Sequence, residues 1–530
     1  MLLRRALIHA VLMMAVASAW ASSLWPQSDL PEDDVMQETL RFTRIFTAIQ
    51  SNYMDALDSE QVIYNGGIRG GLSALDPFSS FFDPDQFEQL RQFTVGKSRG
   101  FGSILYVQTG KVLVLQTAEG SPSHRAGLGP GDEIVSLNGT RMDRLDFQSL
   151  IELLQRSRSQ KVRLGVVRPG KFVSEDFDLY PAEIPNPSVD KSYLLQPGTA
   201  YLHVSSFDIK TPQEVAEAVE KLGGSDLKGL LLDLRDNRGG VVDAAVGLAS
   251  VFLKPDLLVL TQRGRSMAEK SLRTFAVPLS FDTPMIVLIN GTTASSAEVF
   301  VAALQEHDRA VVAGEPSFGK GVVESVVPLS ARTGLALTTA QYFTPSGRSI
   351  QRRLPGTALA DPDSSLRAGA DPKFHTDNGR PLAAGGGILP DVALESIVRD
   401  PWVSFLNERG IFTIFASEYL TLHGKIDPKF EPDAETLEAF KSYLDRQRIR
   451  TPGEYWAPDA EYLKHRIKVE LFNLVLGLTA GDEVDVRGDP QVQQCLKLLP
   501  KIPTLLLPPA PRPVIKRPKP VNPVSNRSPR

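Results

Sequence analysis

The sequence predicts a multidomain α/β protein with a helical region at each end, and three observations carry the prediction. Apolar runs alternate with helix-forming stretches across 185–400, the pattern of strand–loop–helix units. Short runs of period two surround one helical stretch across 97–184, which marks a separate β-rich unit. Helical spacing governs the flanks, 22–96 and 401–507. A chain of 530 residues, 42% of them hydrophobic, has room for several cores and roughly three or four domains. The net charge is −4, and no concentrated basic face accompanies the globular part, so no nucleic-acid partner is expected. Cys495 is the only cysteine, which rules out an intramolecular disulfide and a cysteine-based cluster. The seven histidines occur singly and without metal-ligand spacing, so no metal is expected either.

The elements follow in order. Arg4 and Arg5 precede an apolar segment from Ala6 to about Ala19, with small residues at Ala17-Ser18-Ala19 and Ala19-Trp20-Ala21. This reads as a secretory signal over 1–21 and makes the bacterial periplasm the expected location, with an uncleaved inner-membrane anchor as the alternative. From Asp34 to about Phe93 the pattern is helical, with Phe42, Ile45 and Ile49 at helical spacing. It is interrupted by Gly70-Gly71 and by a turn at Leu75-Asp76-Pro77, a segment given a structural role. Alternation in Lys111–Gln116 and Lys161–Val167 predicts strands. Thr199–Ser206 reads as a strand, Pro212–Leu222 as a helix, Gly229–Leu234 as a buried strand and Val241–Leu253 as a helix. Between the last two lies Gly239-Gly240, which is either plain turn chemistry or a place where backbone donors approach a substrate.

Met285–Ile289 is then a buried strand that halts at Asn290-Gly291, and a helix is predicted from Ser295. A serine at a helix N-terminus lies where N–H groups and the helix dipole favour developing negative charge, though most such serines are only caps. A strand at Ala310–Ala313 leads through Gly314-Glu-Pro-Ser-Phe-Gly to Lys320 and a valine-rich strand. Partial burial there would favour the neutral amine, the form that accepts a proton from serine. Residues 352–384 form a Pro-, Gly- and Asp-rich insertion expected as a surface loop. Beyond Pro401, Leu437, Phe440 and Leu444 share one helical face, and Tyr462–Leu478 is a second apolar stretch; both suit packing or oligomerisation. The end, 508–530, is proline-rich and basic and is expected to be disordered.

At these residues the chain resembles the C-terminal processing peptidases, also called tail-specific proteases. Thr293-Ala294-Ser295 with Glu298 is similar to that family's nucleophile motif, and Phe318-Gly319-Lys320-Gly321 to its lysine motif. Leu232-Asp-Leu-Arg-Asp-Asn-Arg-Gly-Gly240 resembles the segment that supplies part of the oxyanion hole. Tyr342–Gln351 and Gly387–Asp391 look like its closing motifs, and Gly70–Pro77 like its helical lead-in, with Phe78 where histidine is frequent. Ser121–Asp132 and Ile134–Gly139 resemble a PDZ domain, for which Gly102, Ser103, Ile104 and Leu105 form the candidate carboxylate loop.

The resemblance implies a helical N-terminal region, a PDZ domain at 97–184, a crotonase/ClpP-like α/β serine peptidase core at 185–400 and a helical C-terminal region. It implies Ser295 as nucleophile and Lys320 as base, with backbone donors at Gly239, Gly240 and Ser296 and no cofactor. The implied partners are proteins or peptides with accessible C-termini, and an adaptor. Two departures stand out. Ser296 offers a second hydroxyl beside Ser295, and Glu324 replaces the glutamine that relatives use to orient the lysine. An ionised carboxylate beside Lys320 favours the ammonium and opposes its role as base, unless Glu324 points into solvent. That substitution keeps a catalytically impaired binding scaffold as the alternative reading; an acyl-CoA enzyme of crotonase type is a third, but would not call for a PDZ domain.

Overall fold

The computed structural model describes residues 32–508 apart from 59–60, 169–170, 172, 266, 356–373, 396–399, 425 and 451–452. The expected signal, the tail beyond Pro508 and the middle of the insertion lie outside the described residues. Helix α1 (Glu32–Asn52) forms as its spacing predicts, yet Phe42, Ile45 and Ile49 stay exposed. The helical expectation fails farther on. The Asp76 carboxylate accepts the N–H groups of Phe78 and Ser79, both at 2.8 Å, and turns the chain out of helical geometry. Residues 80–82 then become a strand, β1 (Ser80–Phe82), because they find a pairing partner in the core. Helix α2 (Pro84–Thr94) restarts on a capping box between Asp83 and Gln86.

The β-rich unit is a sheet ordered β2 (Ser103–Gln108), β3 (Lys111–Thr117), β4 (Glu133–Leu137), β5 (Val162–Val167) and β6 (Ser174–Leu179). Helix α3 (Phe147–Ser157) is N-capped by Asp146 and buries Leu150 against Val112, Val114 and Val166. Lys97–Gly100 pairs with Ala182–Pro185 and closes the unit where it joins the rest of the chain.

The central sheet has the order β7 (Val189–Gln196), β8 (Thr199–Val204), β9 (Gly229–Asp233), β12 (Met285–Ile289), β13 (Val311–Gly314) and β16 (Val392–Ala393). All neighbours are parallel except β7 and β8. Strands β9, β12 and β13 are buried throughout, which is why they read as continuous apolar runs. Alternate residues serve opposite faces. Leu230, Leu232, Met285, Val287 and Ile289 pack under α4 (Thr211–Leu222), α5 (Val242–Phe252) and α6 (Ser296–Glu306). Leu231, Ile286 and Leu288 face the other way, onto Val486, Val492 and Cys495 of the C-terminal helices α10 (Leu478–Gly488) and α11 (Pro490–Leu498). Those helices therefore complete a three-layer core.

A second sheet carries β1, β10 (Leu258–Gly264), β11 (Met267–Arg273), β14 (Val322–Pro328) and β15 (Gly334–Phe343). Strand β15 pairs with β14 on one side and with β1 and β10 on the other. Helices α7 (Ile411–His423), α8 (Ala434–Arg446) and α9 (Gly453–Leu476) build a separate core around Phe412, Phe415, Phe440 and Tyr443.

Candidate active site

Two loops leave the C-terminal ends of the adjacent parallel strands β9 and β12. Side chains stitch them together. Asp236 Oδ1 accepts from Asn290 Nδ2 at 3.0 Å and from Thr292 Oγ1 at 2.9 Å, and Thr293 Oγ1 donates to Leu234 O at 2.8 Å. Asn237, fully buried, accepts the Ala294 N–H on its carbonyl at 2.9 Å and donates from its side chain to Val204 O at 2.6 Å. The glycine loop and the serine turn are thus one rigid unit.

Ser295 sits at the entrance of α6 with φ 59° and ψ −125°. A non-glycine residue in that region stores roughly 1–3 kcal/mol and persists only where its surroundings enforce it. A strained strand-to-helix turn of this kind presents a serine hydroxyl above a sheet. Ser295 is half-buried, whereas Ser296 is fully buried and its Oγ has no partner among the described residues. Accessibility therefore singles out Ser295 of the two hydroxyls.

Gly239 and Gly240 take φ 87° and 153°. A β-carbon on Gly239 would lie 2.9 Å from Ser296 N, so glycine is what lets the loop meet the start of α6. Gly239 contributes space rather than a donor, because its own N–H goes to Asn237 Oδ1 at 2.8 Å. Among the described residues no acceptor takes the N–H of Gly240 or Ser296, the latter being the first residue of its helix. A β-carbon on Gly240 would stand 2.0 Å from Phe207 O, a backbone atom that cannot yield cheaply. Gly240→Ala is expected to lower the thermal unfolding midpoint, measured on the soluble variant.

The lysine loop follows β13 and is tied to the serine turn by one buried carboxylate. Glu298 Oε2 accepts the backbone N–H of Ser295 and that of Lys320, each at 2.9 Å. Its Oε1 accepts from Ser317 Oγ at 2.5 Å and from Gly319 N at 2.7 Å. Two residues far apart in the chain are thereby held to the same oxygen. Burial raises the Glu298 carboxyl above its ordinary range, against the pull of these four donors. The closing motifs brace the loop from behind: Ser317 Oγ accepts from Ile388 N, Gln351 Oε1 from Gly321 N, and the Tyr342 hydroxyl donates to Lys320 O.

The Lys320 side chain is 18% exposed. Its Nζ donates to Glu324 Oε1 at 2.8 Å and lies 4.6 Å from the centre of the Phe78 ring. Glu324 is therefore turned toward the amine and not into solvent. Among the described residues no hydrogen bond joins Lys320 Nζ to Ser295 Oγ. Ser295, Ser296, Gly239, Gly240, Lys320 and Glu324 all belong to this one site, while Gly102, Ser103, Ile104 and Leu105 lie apart. Those four line a groove of about 790 Å³ with Ile151 and Leu154 of α3, and Leu478, Thr479 and Asp482 of α10 complete its wall. Gly102, at φ 77°, packs so closely on Ser121 that a β-carbon would fall 2.3 Å from that side chain.

Residues 198–363 match the profile of peptidase family S41, and residues 113–168 match a PDZ domain. A carboxy-terminal-processing protease of Bartonella bacilliformis is 32% identical over 322 residues, which span 59% of this chain and 73% of that one. The chain belongs to this family. A carboxyl-terminal-processing protease of Synechocystis is 31% identical over 53% of this chain and 67% of that one. The carboxy-terminal processing protease CtpB of Bacillus subtilis is 28% identical over 61% and 68%. As a family S41 member the chain is a serine-type peptidase with a PDZ domain, and its substrates are proteins.

Three contributors at this family S41 site escaped the sequence reading. Glu298 gave a signal, an acid within the buried stretch Ser295–Leu304, but entered only as motif spacing. Asn237 entered only as one residue of the Leu232–Gly240 motif, and Phe78, assigned to a structural turn, carried no local sign that it meets the lysine.

Proposed function

We propose that Ser295 is the nucleophile and Lys320 the general base of a peptidase acting at or near the C-terminal region of protein substrates. The observation that carries this reading is the Glu298 carboxylate, which binds the backbone of both residues through one oxygen. The neutral Lys320 amine takes the Ser295 proton, and Oγ attacks the scissile carbonyl carbon. The oxygen that becomes negative is met by the Gly240 and Ser296 N–H groups, with Gly239 allowing their close approach. Lys320 then gives its proton to the leaving amine, and water repeats the two steps on the acyl-enzyme.

The Gly102–Leu105 loop takes the substrate's chain end by strand addition along β2, with its carboxylate on backbone N–H groups. The division into PDZ domain 97–184, peptidase core 185–400 and helical region 401–507 follows from the same reading, as does export to the periplasm directed by residues 1–21. An adaptor that delivers substrates fits a groove walled in part by a helix from outside the PDZ domain. The test is cleavage of an unfolded protein by the wild type, Ser295→Ala and Lys320→Ala. Equal rates for all three would remove the dyad.

Glu324 sets the working pH in this scheme. Glu324→Gln removes the carboxylate that Lys320 Nζ binds at 2.8 Å and is expected to change the pH–rate profile of cleavage. A superimposable profile means that the two groups do not communicate.

A further inference from the structure

The Lys320 amine is held from two sides, and only one of them belongs to the peptidase core. Glu324 lies four residues on, in the strand β14 that follows the lysine loop, whereas Phe78 arrives on a segment that precedes the PDZ domain. That segment is firmly built. Asp76, 4% exposed, accepts from two backbone N–H groups and from Ser79 Oγ at 3.0 Å. Ser79 Oγ in turn accepts Thr338 N at 3.1 Å, and β1 continues the attachment by pairing Ser80 with Ala336 and Phe81 with Leu335. Phe81 is buried and stacks on Tyr64 at 5.0 Å. These bonds place Phe78 without needing its own ring, which is only part-buried.

We propose that Phe78 is a positioning residue for the general base: its ring face and Glu324 clasp the Lys320 amine, which makes no hydrogen bond to Ser295 Oγ in the resting site. The inference rests on the dyad reading above. An aromatic face attracts a cation far more than a neutral amine, so the ring acts on Nζ in the same sense as the carboxylate at 2.8 Å. The other titratable groups around the amine are Glu298 from α6, which binds the Lys320 backbone, and Tyr342 from β15, whose hydroxyl donates to the Lys320 carbonyl. Asp76, two residues before Phe78, is directed into its own turn. None of these three replaces Phe78 or Glu324 at Nζ. Proton transfer from Ser295 then requires the lysine to lose its proton and leave this clasp.

The experiment is the rate at which a fluorophosphonate probe labels the full-length protein between pH 6 and 9, which needs neither peptide nor PDZ groove. Phe78→Leu keeps an apolar residue beside the amine and removes the aromatic face, so it should label about two- to tenfold faster than the wild type near neutrality and converge with it at high pH. Phe78→Trp should follow the wild-type curve. Ser295→Ala and Lys320→Ala are run alongside, and labelling of both at the wild-type rate would remove the dyad itself. With those two silent, a Phe78→Leu curve identical to wild type overturns the clasp alone. So does an equal slowing of the Leu and Trp variants at every pH, since packing would then be the ring's whole contribution.

Discussion

Lys320→Ala is expected to lower cleavage of an unfolded protein by about 10³- to 10⁶-fold, as for other activated-serine enzymes, while the chain stays folded. The loop does not depend on this side chain for its position. Its backbone N–H is held by Glu298 and its carbonyl by Tyr342, and both bonds survive truncation at the β-carbon. Lys320→Arg separates the two jobs a cation could do here. The guanidinium keeps the charge that faces Glu324 but cannot be deprotonated, so it cannot act as base. Initial rates for the three proteins, with thermal midpoints as the control for folding, decide the matter. Strong cleavage by the arginine variant would assign the lysine an electrostatic role instead.

Glu298→Ala carries the second large effect, and it falls on stability and activity together. Removing the carboxylate leaves three N–H groups and one hydroxyl in a buried site without their acceptor. Each such group costs about 1–3 kcal/mol when nothing replaces the bond. The lysine loop should therefore detach from the serine turn, with a loss of at least about 3 kcal/mol in denaturant unfolding and cleavage near background. Glu298→Gln is the graded control. Its single oxygen can face Ser295 and Lys320, and its NH₂ can donate to Ser317 Oγ, which leaves the Gly319 N–H and the Ser317 hydroxyl proton without their acceptor. That variant should keep part of both properties.

The pH dependence of the same carboxyl has a definite sign. Burial raises the folded value above the unfolded one, so the folded chain binds the extra proton in the window between them. Stability from this group therefore falls as pH rises through that window and is constant above it. In Glu298→Gln that slope should vanish from a plot of unfolding free energy against pH.

The parts of this site that were legible in the sequence are those written locally. Met285–Ile289 followed by Asn290-Gly291 and the Ser295 helix is a strand, a turn and a helix in one continuous stretch, and each boundary came within a residue or two of the structure. The same holds for Gly229–Leu234 and the helix after Gly240. The segment before the PDZ domain was misjudged at Ser80–Phe82, where the helical pattern gave way to pairing with Gly334–Ala336. Strand pairing with a distant partner can override local propensity, and the partner has no trace in the surrounding residues. The apolar stripe of α1 shows the opposite case, a correct local reading whose Phe42, Ile45 and Ile49 stay exposed.

By itself the sequence determined which groups are available: a serine at a helix entrance, a lysine between glycines, a glycine pair after a buried strand and an acid four residues beyond the lysine. Only the tertiary structure decided what each one touches. It gave one Glu298 oxygen to both loops, turned Glu324 toward the amine instead of the solvent, and brought Phe78 across from another region of the chain. The reason is physical. Periodicity and turn chemistry act over a few residues, whereas these contacts depend on strand order and register, which are set by the packing of the whole core.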